Sequence, residues 1–189
     1  MTTSPSSPGG ASAPPPEPVS PAVPSESVVQ DFANLSAALT GFQPSFIRPF
    51  LDPVNLSGTF YQFAVGQVGQ PMMDALMSAF DALSNQQPAL SPQQIADTLL
   101  EVSSPTPSAQ AQLCQAIIAM WYLGSWYPPP FQTGGLHQVI SSQAYTKSLV
   151  WNIAQAHPMG FSAFTFGYWS QTPGSLETFG VNTGNGGGQ

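Results

Sequence analysis

One stretch near the middle of the chain, SAQAQLCQAIIAMWYLGSW over residues 108–126, constrains the fold more than any other feature. Leu113, Ile117, Met120, Trp121 and Gly124 recur along it at helical intervals, and the intervening residues are also mostly apolar. A helix that is apolar nearly all round has no face to give to water, so it must lie inside a shell of other elements. The spacing therefore predicts a buried helix over 108–124, with every other segment arranged to cover it.

The segments available to cover it are helices too. Ser27 and Gln30 stand at capping-box spacing before Val28, Phe32, Leu35 and Leu39, and Gly41 follows as a stop, which predicts a helix over 28–40. Asp52-Pro53 places a capping acid before a proline, the usual pair at a helix start, and Leu56, Phe60 and Phe63 give the inward face of a helix over 53–65. Pro71 opens a third, over 71–84, with Met72, Leu76, Phe80 and Leu83 on one side. Ser91-Pro92-Gln93-Gln94 repeats the cap, proline and capping-box order ahead of Ile95 and Leu99, for a helix over 92–102. After Trp126 the triple proline 128–130 and the Gly134-Gly135 pair interrupt the pattern, and a short helix over 141–152 follows with Tyr145, Leu149 and Val150 inward. From His157 the chain is rich in rings and lacks periodicity, so it is expected to be an extended tail along a surface. The fold class expected is all-α: a small helical domain of five to six helices with an aromatic-rich extended C-terminal tail.

The two ends read differently. Residues 1–26 hold eight prolines and six serines and no aromatic residue, so they cannot bury enough apolar surface to offset the entropy of ordering them. A disordered Pro/Ser-rich segment is expected over 1–26, a helical domain over 27–181, and a Gly-rich disordered tail over 182–189. No stretch reaches 18 apolar residues, so a membrane span is not expected, and residues 1–26 lack the basic and apolar parts of a secretory signal. Taken alone, that second point leaves three readings: a chain already in mature form, one exported with a partner, or one that stays inside.

Charge narrows the partners. Arg48 and Lys147 are the only basic residues against nine acids, giving a formal charge of −7, and charged residues are 6% of the chain. Nucleic acid is excluded, because phosphate binding needs clusters of Lys and Arg. Anionic membrane surfaces are excluded for the same reason. The lone Cys114 rules out an internal disulfide or a thiolate metal cage, and inside the apolar helix it reads as a small hydrophobe. His137 and His157 have no acid or cysteine at ligand spacing, so no metal site is expected. Asp97 and Glu101 stand four apart on one helix face, a spacing that suits either a general acid/base pair or a solvated helix edge, and the capped context favours the edge. Gly66, Gly69 and Gly134-Gly135 do not form a dinucleotide fingerprint. No catalytic residue and no cofactor site are assigned to this chain.

The rings carry more information. Trp121 is expected in the core, but 12 Phe, 5 Tyr and 4 Trp exceed what a domain of this size needs inside. With so few charges outside, some of them should form an exposed apolar patch of the kind that marks an interface. Trp126, Tyr127, Phe161, Phe164, Phe166, Tyr168 and Trp169 are the candidate partner-interface residues.

The opening helix DFANLSAALTG, the helix QAIIAMWYLGSWY, and ISSQAYTKSLVW followed by HPMGFSAFTFGYW together resemble the small subunit of membrane-bound FAD-dependent sugar and polyol dehydrogenases, over residues 29–173. The resemblance implies a mostly helical, non-catalytic subunit that docks on a large flavoprotein of the glucose–methanol–choline type and supports its maturation, stability or export. It also implies a periplasmic, membrane-associated complex, FAD held by the large subunit, and in many complexes a membrane-anchored cytochrome c subunit. Two features depart from that family. Its twin-arginine signal has no counterpart in a chain with a single arginine, and the cysteine that some members carry in the stretch matching 154–157 is absent. A stand-alone secreted interaction protein and a small hydrolase using Asp97, Glu101 or a histidine are the alternatives the residues leave open.

Overall fold

The computed structural model describes residues 23–129, 137–156 and 158. Most of the expected Pro/Ser segment, the aromatic stretch beyond Pro158 and the Gly-rich end lie outside these residues. Within them the chain is mostly helical, in the order α1 (Glu26–Thr40), α2 (Pro44–Ile47), α3 (Leu56–Val68), α4 (Gln70–Ser84), α5 (Pro92–Leu100), α6 (Ala109–Leu123), β1 (Ser125–Trp126), β2 (Gln138–Val139), α7 (Ser142–Thr146) and α8 (Leu149–Ile153). The all-α expectation is met.

The centre is shared between two helices. α6 buries Leu113, Cys114, Ala116, Ile117, Met120 and Trp121, but Leu123 is exposed and Tyr122 only half-buried. α1 buries Val29, Phe32, Ala33, Leu35, Ser36, Ala37, Leu39 and Thr40, and packs against all of α2, α3, α4, α5 and α6. Two ring contacts hold the layers together: Phe32 meets Tyr61 edge-on at 5.6 Å, and Phe60 meets Trp121 edge-on at 4.7 Å. Each such fully buried side chain contributes about 1.5–3 kcal/mol through the apolar area it removes from water. The Tyr122 hydroxyl donates to the Thr40 carbonyl at 3.0 Å, tying the end of α6 to the end of α1.

Several starts and stops differ from the sequence reading, each for a local reason. The side chain that caps α1 is Ser25, which accepts from the Val28 N–H, while Ser27 bonds only to the Ser25 hydroxyl. Asp52-Pro53 does not start α3. Asp52 Oδ1 accepts from the N–H groups of Val54 and Asn55 at 3.2 and 2.8 Å, closing a turn that delays the helix to Leu56. Asn55 then caps it from a left-handed conformation, φ 47, with its Oδ1 accepting from Gly58 N–H. A Cβ on Gly58 would lie 2.5 Å from that Asn55 side chain, which explains a glycine inside the first turn of a buried helix.

The helix expected over 141–152 is divided. The Tyr145 carbonyl accepts from the Ser148 hydroxyl at 2.9 Å and from Trp151 Nε1 at 2.8 Å, so the chain breaks at Ser148 and α8 begins anew. By contrast, the Ser91–Gln94 capping box forms in full, with Pro92 in the first turn of α5.

At the end of α6, Gly124 takes a left-handed conformation, φ 66, and a Cβ there would stand 2.6 Å from the Ala144 backbone. This close approach turns the chain into β1, which pairs antiparallel with β2 in the register Ser125↔Val139 and Trp126↔Gln138. That small pairing was not expected from the sequence. It packs on α6 and α7 and closes one end of the helical body.

Candidate partner interface

Of the seven rings expected at a partner surface, the structure describes two. Trp126 is corrected: at 2% exposure it is a core residue. The turn at Gly124 folds β1 back against the helices, and the Trp126 ring comes to rest 6.0 Å from that of Phe63 on α3. Both β1 residues are buried, so neither side of this short strand faces water. Tyr127 is half-buried and its ring stacks on His137 at 5.3 Å and 15°. Phe161, Phe164, Phe166, Tyr168 and Trp169 lie outside the described residues.

The polar groups weighed as chemistry make local contacts within the fold. Asp97 accepts from Gln93 Nε2 at 2.7 Å along its own helix. Glu101, in a left-handed conformation of φ 51 at the end of α5, accepts from the Ser108 N–H at 2.9 Å and so fastens the loop that leads into α6. The backbone hydrogen bond from Ser108, with a further contribution from the Ser108 side chain, holds the Glu101 carboxyl below the ordinary carboxylate value. The two acids border a shallow open depression with Thr98, Val102, Ser103 and Ser104. Cys114 is fully buried, and desolvation pushes its thiol up to about 12, far from the thiolate needed for nucleophilic or redox work. Among the described residues, no group of three or more His, Cys, Asp or Glu side chains gathers to hold a metal ion, and His157 lies outside them.

The described residues do not form the fold that most often holds a flavin dinucleotide. Its usual cradle is a parallel sheet whose first strand runs through a glycine-rich turn into a helix. The β1–β2 pair is two residues long and antiparallel, Gly66 sits within α3, and Gly69 is the junction between α3 and α4.

Apolar exposure is found elsewhere. Phe50 is 101% exposed and Leu51 80%, at the tip of the loop between α2 and α3. Leu123, Val139 and Ile153 are exposed to a lesser degree on α6, β2 and α8. The sequence reading passed over Phe50 and Leu51. The signal was present in Arg-Pro-Phe-Leu-Asp-Pro, where two apolar residues stand between prolines with no helical periodicity to carry them inward.

Compared with known proteins, residues 1–173 match a family model described as membrane-bound FAD-containing D-sorbitol dehydrogenase. No curated protein and no solved structure matches the chain.

Proposed function

Because the chain belongs to the family of the membrane-bound FAD-containing D-sorbitol dehydrogenase, we propose that it works as the non-catalytic small subunit of such a complex. In this reading it associates with a large flavoprotein of the glucose–methanol–choline type, which holds FAD and oxidises the sugar or polyol. Its work is to support the maturation, stability or export of that partner on the periplasmic side of the membrane, where a membrane-anchored cytochrome c subunit receives the electrons.

The observation that carries the reading is the family match over most of the chain, 1–173. The contacts of the two acids agree with it: Asp97 bonds to Gln93 along α5, and Glu101 fastens the loop into α6. No helix among the described residues is long and apolar enough to cross a membrane, so attachment to the bilayer is assigned to partners.

The test is co-expression with an FAD-containing large subunit of this dehydrogenase family from the same source, followed by purification through a tag on the small chain. The expected result is a complex that carries flavin absorbance and dehydrogenates a polyol, with neither property in the small chain alone. A small chain that binds FAD and turns over substrate by itself would contradict the proposal.

A further inference from the structure

The loop between α2 and α3 presents two large apolar side chains on a support built to keep them there. Phe50 is the most exposed large apolar residue among the described ones, and Leu51 beside it is 80% exposed. Immediately before them, Arg48 is largely buried and pairs with the Glu26 carboxylate, with Nη1 also donating to the Glu26 carbonyl and to Gln30 Oε1, each at 3.3 Å. Immediately after them, Asp52 Oδ1 closes its turn on Val54 and Asn55. Ile47 is anchored in the core, and its carbonyl accepts from the Ser57 hydroxyl at 3.4 Å. Pro49 and Pro53 flank the pair and restrict the backbone on either side. An apolar tip held in place this way loses little conformational entropy when it is covered, which is what an interface anchor requires.

Resting on the subunit reading above, we propose that the Phe50–Leu51 tip is an anchor that inserts into an apolar socket on the FAD-containing subunit. Two other occupants are disfavoured by the same structure. A lipid bilayer would need a basic collar beside the tip, and this chain carries −7 formal charge with its one nearby cation, Arg48, committed to Glu26 and Gln30. A second copy would bring two tips together, covering about 700 Å² in all. That is well short of the roughly 1,200–2,000 Å² of a stable specific interface. The depression lined by Asp97, Thr98, Glu101, Val102, Ser103 and Ser104 is too open to enclose the tip of a neighbouring copy. A convex apolar tip on an acidic chain is suited to a concave apolar site on a different protein.

The experiment compares the full chain with its Phe50→Ser/Leu51→Ser variant, each co-expressed with the FAD-containing subunit and each examined alone by circular dichroism and melting. Both side chains stand in water, so the isolated variant should melt like the wild type. Its affinity for the FAD-containing subunit should fall by roughly tenfold or more. If the wild type assembles and the variant assembles equally well, the tip is not an anchor and the subunit reading survives. If the wild type itself fails to assemble, the subunit reading falls and the anchor with it. Sedimentation with mixed vesicles of phosphatidylethanolamine and the anionic phosphatidylglycerol supplies the remaining arm. Wild-type binding that the variant loses would make the tip a membrane wedge and overturn the proposal.

Discussion

The core around α1 and α6 and the loop between α2 and α3 use the same kinds of side chain to opposite ends. Phe32, Phe60 and Leu113 are wholly buried, whereas Phe50 and Leu51, a few residues from the buried Phe42 and Ile47, project into solvent. The contrast does not arise from a loose loop, because Arg48 and Asp52 fix it on both sides. It separates the residues that hold the chain folded from those that would gain stability only when something covers them. Four changes test whether that separation is real.

The largest effect is expected from Trp121→Ala. Its ring is 2% exposed and packs edge-on against Phe60, so truncation leaves a cavity between α3 and α6 costing about 3–5 kcal/mol. Chemical denaturation of the isolated chain measures it; a loss under 1 kcal/mol would mean the centre of the fold lies elsewhere. Next is Gly124→Ala, which places a Cβ against the Ala144 backbone and in a left-handed conformation. We expect about 2–4 kcal/mol, together with loss of the β1–β2 pairing in hydrogen exchange.

Ser91→Ala removes one half of the capping box on α5 and should cost about 1 kcal/mol, read as a modest drop in melting temperature with assembly unchanged. The smallest effect concerns pH. The folded-state pKa of Glu101 lies below its unfolded value, so the stability it adds is present above the unfolded pKa and is lost as pH falls through the folded one. Glu101→Gln should therefore weaken the acid sensitivity of the wild type slightly and leave assembly with the partner unaltered. A carboxylate at the surface supports no more than that.

Much of the core was legible because it follows helical spacing. Phe32, Leu35, Leu39, Leu76, Ile95, Leu99 and the inward row of α6 lie where their periodicity puts them, and Ser91–Gln94 forms the cap its spacing implies. The departures come from competing local bonds and from tertiary contacts. Asp52-Pro53 has the same outward form as Ser91-Pro92, yet the Asp52 carboxylate bonds to the N–H groups of Val54 and Asn55 and holds the chain in a turn. The break at Ser148 depends on a carbonyl taken by two side chains, one of them six residues away on α8.

Trp126 could not be placed from its neighbours in sequence. Its burial depends on the chain reversing at Gly124 and reaching Phe63, more than sixty residues earlier. The interface was legible in kind but not in place: ring-rich composition and few charges imply an exposed apolar patch, and the exposed pair Phe50–Leu51 lies in a segment with no periodicity to mark it.

Hydrogen exchange of the chain, free and bound to the FAD-containing subunit, tests the division between core and tip most directly. The account predicts that amides of α1 and α6 are already strongly protected in the free chain and change little on assembly. The Phe50 and Leu51 amides should exchange freely in the isolated chain and become protected in the complex. Protection gained in α1 and α6 on binding, with the loop still exchanging as before, would contradict it.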